Sequence, residues 1–389
     1  MDTKRKINIA FSFLLWLFFT VFSIHSKAQN KKGVETNNIP TAFQSEYNSV
    51  RHFDSSYKYA EMKFRFNGTG RNAVIKWQQA FLPHLKQAIG LDKMEGQLAG
   101  YIPRAEKKET EERNGFVLEK WIIWTEPDIP LPIVVLIPKN KTGKIPLVIT
   151  THGHGKNAEQ YDGIYPRVVD TISSAQPELS ICVQAVNEGY IAIAPTMRAF
   201  GSTRTEYDKN NGNSFSCHDQ LMHDLLVGRT PIGDRVWDMS KILDWAIRYL
   251  PVDTKRIAIT GNSGGGTASL FAAACDPRIT VAVPSSSFCT FAGSIGVIAH
   301  CDCNYIPGIL GLGEMSDIAG LITPRPLCLI NGKEDPIFPI GETRKAFAHL
   351  KSIYSAAAAA DDVELYEGSG GHKFYKEGAW PFIKKHFEK

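Results

Sequence analysis

The chain lacks a charge excess of either sign. Its 44 Lys and Arg stand against 40 Asp and Glu, a formal net charge of +4 over 389 residues, and the cluster Lys4-Arg5-Lys6 inflates even that. So even a balance argues against nucleic acid or an acidic polymer as partner. Cysteine is scarce too: seven residues, an odd number and few for this length, which excludes a disulfide scaffold. Cys301-Asp302-Cys303 has Cys289 or Cys217 as a bridging partner, and the connectivity stays open. Metal-ligand spacing is missing as well. His300-Cys301-x-Cys303 and Cys217-His218 lack the short Cys spacing of structural zinc sites, and His152-x-His154 shows no third ligand, so neither metal nor cofactor is expected. No internal repeat is visible.

Long apolar runs are absent but for one, the 18 uncharged residues from Ile7 to Ile24. A basic start precedes it and the small–x–small triplet Ser26-Lys27-Ala28 follows, the order of a secretory signal cleaved after Ala28. The alternative is an uncleaved anchor, since the run is just long enough to span a bilayer. No Cys marks a lipoprotein boundary, and nothing further along is apolar enough to cross a membrane. The expectation is a periplasmic or secreted protein with no membrane association after cleavage.

What is present reads as an ordinary globular chain. Apolar residues at 43% and charged residues at 22% exclude disorder, and 389 residues suffice to bury a large core. Residues 29–112 read as a polar tether and a helical extension, with Val74, Trp77, Phe81, Leu85 and Ile89 at helical spacing over Ala73 to Leu91. Pro83 should kink or divide that helix. From residue 113 to the C-terminus strands alternate with helices, which predicts an α/β fold with a mostly parallel sheet covered on both faces. Phe116–Trp124 and Pro132–Ile137 read as an opening antiparallel pair. Pro146–Thr151, Tyr190–Pro195, Arg256–Thr260, Ile279–Val283, Pro326–Ile330 and Val363–Tyr366 read as later strands. Helices are expected over Asp234 to Leu250, Gly264 to Cys275, Glu342 to Tyr354 and Trp380 to Phe387.

One constellation carries chemistry. Between a buried strand and a helix stands Gly261-Asn262-Ser263-Gly264-Gly265-Gly266, a G-x-S-x-G motif in the context that gives it meaning. A serine at so sharp a turn is strained, and glycines at 261 and 265 remove the collisions. The turn lifts the hydroxyl to a helix N-terminus, where a developing anion is favoured. A serine hydroxyl needs a base, and the base needs a carboxylate to fix its tautomer. In chain order, Asp335 follows a strand end and is the expected acid, with Glu334 the runner-up. His372 follows the last strand on a glycine-rich loop and is the expected base, ahead of His300, His349 and His386. The oxyanion donors are expected to be the amides of Gly264 and His154, with Gly153 as alternative. Arg198, after another strand end, is a candidate substrate ligand or a scaffold ion pair. The segment Phe291–Leu321 lies where a lid would be inserted.

These stretches resemble the α/β-hydrolase family related to dienelactone hydrolases and acetyl xylan esterases. The resemblance runs from about Gly115 to the C-terminus, roughly 70% of the chain, and rests on the elbow together with His152-Gly153-His154-Gly155, Gly228-Arg229-Thr230-Pro231-Ile232-Gly233, Asn331-Gly332-Lys333-Glu334-Asp335-Pro336 and Gly370-Gly371-His372. It implies the α/β-hydrolase fold and carboxyl-ester hydrolysis, often deacetylation of sugars, without a metal. Dienelactone hydrolases proper use a cysteine nucleophile, whereas position 263 is serine, which points away from dienelactone as substrate. Two rivals remain: a serine peptidase of the prolyl-oligopeptidase type, and a non-catalytic glycan-binding member of the fold. The expected partner is a small-molecule or carbohydrate ester; oligomeric state is not legible.

Overall fold

Alternation within the Val- and Ile-rich runs sends successive side chains to opposite faces of a strand. In the computed structural model, which describes residues 49–154 and 180–389, these runs and one charged strand ahead of them build one sheet of nine strands: β1 Arg104–Glu112, β2 Phe116–Glu126, β3 Ile129–Pro138, β4 Ile145–Thr151, β5 Ile191–Pro195, β6 Val252–Asn262, β7 Val281–Ser285, β8 Leu327–Gly332 and β9 Val363–Gly368. Their order is β1-β2-β3-β5-β4-β6-β7-β8-β9. The first three form an antiparallel meander that joins β5 antiparallel, and from β5 to β9 every pairing is parallel. The expected signal segment, its cleavage site and the tether lie outside the described residues. Among the described residues no helix is long and apolar enough to cross a membrane.

The period-2 pattern sorts the core into two layers. Leu147, Ile149, Ile191, Ile193, Ile257, Ile259, Leu327 and Leu329 face one cluster. Their neighbours Val148, Ala192, Ala194, Ala258, Cys328 and Ile330 face the other. The first layer is covered by α1 Arg71–Ile89 and, from later in the chain, Pro231–Tyr249, Gly264–Cys275 and Ile340–Ala356. The second is covered by α2 Ile181–Asn187 and the C-terminal helix Lys376–Phe387. Helices on both faces of a mostly parallel sheet are the α/β-hydrolase architecture expected from the sequence.

Two local expectations are corrected. The helix α1 runs through Pro83 undivided. Proline removes one amide and frees the carbonyl four residues earlier; that carbonyl belongs to Gln79, an exposed residue, so water can satisfy it. Meanwhile Phe81, Leu85 and Ile89 are fully buried and hold the helix to the domain. The sheet also starts before residue 113. β1 carries almost no apolar residues, so its sequence shows no strand pattern, and its register with β2 supplies the order instead.

The Gly228–Gly233 stretch is where the N-terminal helix is locked to the domain. Thr230 caps α4 (Pro231–Tyr249, preceded by α3 Cys217–Leu226): its Oγ1 accepts from the Gly233 amide at 3.1 Å, with Pro231 at the first helical position. The same hydroxyl donates to the Ile89 carbonyl at 3.0 Å, at the end of α1. A Cβ at position 233 would fall 1.9 Å from the Ile89 oxygen. Backbone meets backbone there, so only glycine fits. Gly233→Ala should therefore destabilise the fold by about 1–3 kcal/mol, read as a lower midpoint in urea unfolding; an unchanged midpoint would refute this contact.

Candidate active site

Every residue singled out for chemistry sits at the carboxyl edge of the parallel strands. β6 ends at Asn262, and α5 Gly264–Cys275 begins two residues later. Ser263 bridges them with φ 59° and ψ −123°, left-handed backbone that a side chain adopts only under strain. The cause is the approach of Thr151 at the end of β4. A Cβ at Gly261 would lie 2.4 Å, and one at Gly265 2.1 Å, from the Thr151 carbonyl oxygen. The Thr151 hydroxyl donates to the Gly265 carbonyl at 2.7 Å, tying strand to helix. The Gly264 amide is in the first turn of α5 and has no intrahelical partner.

Asp335 and His372 are brought together. His372 Nδ1 lies 2.8 Å from Asp335 Oδ2, while Asp335 Oδ1 accepts from the amides of Ile337 at 2.9 Å and Phe338 at 3.0 Å. Burial alone would raise the Asp335 pKa, but the His372 hydrogen bond and the two amides hold it below the ordinary value. The runner-up acid Glu334 is exposed. The loops after β8 and β9 are zipped through Lys333 N–Gly368 O at 2.9 Å and Glu334 N–Gly370 O at 3.0 Å. Phe338 stacks on the imidazole at 6.0 Å between centroids. The other histidines are engaged elsewhere. His300 meets Ser294 Oγ at 2.9 Å, His349 donates from Nε2 to the Phe66 carbonyl and meets Ser316 Oγ through Nδ1, and burial drives the pKa of His386, 3.8 Å from Asp362, down to about 4.

A short hydrogen-bonded path joins this pair to the elbow. The Ser263 amide donates to the Ser285 carbonyl at 2.9 Å at the end of β7. Ser285 and Ser286 hydroxyls then donate to the Lys373 carbonyl, at 3.4 and 3.2 Å, one residue beyond His372. Sequence reasoning passed over both serines; their only signal is position after a strand end.

On the other side of the elbow stands the loop after β4. His152 is fully buried and accepts from the Met197 amide at 3.0 Å through Nε2, so the neutral ring carries its proton on Nδ1. Burial pulls its pKa down to about 4. The His154 ring covers Gly264 so closely that a Cβ there would lie 2.5 Å from Cε1. His154 Nε2 reaches Cys303 Sγ at 3.1 Å. Gly155 lies outside the described residues.

Of the two roles open to Arg198, the structure shows the scaffold ion pairs. Its guanidinium pairs with Asp238 at 2.6 Å, Glu126 at 2.6 Å and Asp234 at 3.1 Å, all nearly buried, so three protein carboxylates already hold the place a substrate carboxylate would take. A cleft of about 1060 Å³ lies beside this network and includes Trp124, Thr203 and His223, but none of Ser263, Asp335 and His372. Size therefore points away from the convergent polar groups, and the convergence carries more chemical meaning. The fold gathers His154, Cys217, Cys301 and Cys303, with all four ligand atoms within 4.8 Å of one another.

Comparisons with known proteins agree with this architecture. YtaP of Bacillus subtilis (strain 168), provisionally named a hydrolase, is 25% identical over 265 residues, 67% of this chain and 84% of its own. A Bacteroides fragilis NCTC 9343 protein, provisionally titled an acetyl xylan esterase, superposes with TM-score 0.67 at 21% identity, covering 87% of this chain and 84% of its own. Acetyl xylan esterase 1 from Thermoanaerobacterium sp. JW/SL YS485 superposes with TM-score 0.55 at 16% identity, covering 86% and 98%. At these identities the two structures show a shared fold. The model of the Abhydrolase family matches residues 26–367, and the chain belongs to that family.

Proposed function

We propose that the chain is a secreted or periplasmic serine carboxylic-ester hydrolase that deacetylates carbohydrate esters. The observation that carries this reading is the hydrogen-bonded pair of His372 with the buried Asp335 carboxylate, linked through Ser285 and Ser286 to a strained serine at a strand-to-helix turn. The acetyl xylan esterases among its structural relatives support the acyl group; the alcohol follows from them alone.

In this reading Ser263 Oγ attacks the ester carbonyl carbon while its proton passes to His372 Nε2. Asp335 accepts the Nδ1 proton in a hydrogen bond, fixes the tautomer and stabilises the imidazolium. The amides of Gly264 and His154 meet the oxyanion, each worth roughly 10²–10³ in rate. Collapse of the tetrahedral adduct breaks the bond to the alcohol oxygen, which leaves with the proton from His372. Water then attacks the acyl-enzyme, gives a proton to His372 and releases the acid and free Ser263.

Ser263→Ala should lower kcat for p-nitrophenyl acetate by roughly 10⁴–10⁶ with the far-UV circular dichroism unchanged. It should also abolish labelling by a fluorophosphonate probe. Parent-like turnover in the variant would reject the nucleophile, and a folded parent that resists the probe would favour a binding-only member of the fold. Asp335→Asn keeps the shape but offers a donor to Nδ1, so kcat should fall by about 10⁴ with KM little changed; a loss under tenfold would remove Asp335 from the triad. Acetate release from acetylated xylan, set beside cleavage of proline-containing chromogenic peptides, separates the esterase from the peptidase reading.

A further inference from the structure

We propose that His154, Cys217, Cys301 and Cys303 form a structural zinc site that clamps the loop after β4 to α3 and to the segment following β7. Zinc holds four N/S ligands tetrahedrally, with bonds of about 2.0 Å to imidazole and 2.3 Å to thiolate, which sets ligand atoms about 3.5–3.8 Å apart. The four atoms here already lie within 4.8 Å of one another, and His154 Nε2 is 3.1 Å from Cys303 Sγ. Only small side-chain rotations separate this cluster from a closed tetrahedron. Cys217 and Cys303 are buried, whereas Cys301 is partly exposed and leaves an ion a way in.

A second observation points to the same place. Arg235, at the start of α4, is completely buried, and its Nη2 approaches Cys217 Sγ at 3.7 Å. Among the described residues its Nε and Nη1 have no hydrogen-bond partner and no carboxylate pairs with it. An uncompensated buried guanidinium costs several kcal/mol, so an anion belongs beside it. Binding zinc supplies one. Three thiols lose their protons as Zn²⁺ enters, neutral His154 adds no charge, and the complex carries −1 against the +1 of Arg235. A disulfide accounts for less: it joins two of the three cysteines and leaves the third thiol and the His154 ring outside the bond.

All four positions are protein ligands, so no coordination site is open to water or substrate. That is the mark of a structural ion rather than a catalytic one. Its effect on the active site is positional. The same ring that would bind zinc covers Gly264 beside Ser263.

The experiment is a metal analysis of the full chain produced in zinc-supplemented medium and gel-filtered before measurement. About one zinc per chain is expected, and cobalt exchanged into the protein should show tetrahedral ligand-field absorption with thiolate charge transfer. Denatured, chelated protein should titrate all seven cysteines as free thiols. Cys303→Ser should weaken zinc binding roughly 100-fold or more in a competition titration. Arg235→Gln, which leaves every ligand in place, should weaken it less. A metal-free protein without a cobalt spectrum, or one whose mass map shows a disulfide between two of Cys217, Cys301 and Cys303, overturns the proposal. None of these readouts depends on ester hydrolysis, so failure of the site and failure of the catalytic reading are separable.

Discussion

The approach of Thr151 to the strand-to-helix turn is the constraint from which the rest of the edge follows. Its carbonyl oxygen would sit far inside van der Waals contact with a methyl group on residue 261 or 265, and its hydroxyl donates to the Gly265 carbonyl at 2.7 Å. With β4 and β6 paired up to Thr151 and Gly261, the chain has no slack with which to enter α5 gradually. It must turn within one residue, and Ser263 absorbs the turn as positive φ. The strain is held by packing on both sides: α5 is buried along its whole length, and the Ser263 amide is bonded across to β7. A serine placed so has its side chain projected above the sheet rather than into a helix groove.

Buried charge is treated in three different ways across the domain. Asp335 is matched by one imidazole and two amides and stays below its ordinary pKa. Around Arg198 the balance tips the other way. Arg198 and Arg229 face Glu126, Asp234 and Asp238, one carboxylate in excess. Burial then raises Asp238 despite its contacts, and burial together with Asp234 pushes neighbouring Asp224 up to about 7. Such a network fixes β2, the turn after β5 and α4 relative to one another, and breaking one member leaves the others uncompensated. Arg235 is the third case: a buried positive group that, among the described residues, meets the Cys217 sulfur and the face of the Phe200 ring rather than a carboxylate.

How much of this was legible in the sequence follows from the range of the forces involved. The parallel strands were readable because residues buried on both faces must be apolar throughout, as in Ile257-Ala258-Ile259 and Leu147-Val148-Ile149. The elbow was readable because close backbone approach admits only glycine, and glycine is visible. The meeting of Asp335 with His372 could be anticipated from chain order, since each strand end of a parallel sheet lies on one edge. β1 was not readable: its residues Arg-Ala-Glu-Lys-Lys-Glu-Thr-Glu-Glu lie at the sheet margin, where pairing with β2 does not require apolar side chains. The continuity of α1 through Pro83 was hidden for the opposite reason, because tertiary burial outweighed a local penalty. The Cys and His cluster draws on three segments separated by more than sixty residues at each gap, so no spacing rule could find it.

His154 is the point where these lines meet, since its backbone and its ring answer to different neighbours. In the proposed reaction the amide is wanted beside Ser263, where negative charge would develop. The ring is packed edge-on against Phe200 at 5.4 Å and Phe215 at 5.7 Å, and reaches Cys303. A backbone donor on a loop has no fixed direction unless its own side chain is anchored. Two aromatic edges limit rotation but leave translation along the groove, whereas a directional bond at Nε2 would remove that freedom too. Preorganised donors stabilise an oxyanion because they need not reorient when charge appears. The cost of fixing this amide is therefore met at the far end of the imidazole, in chemistry that never touches the substrate.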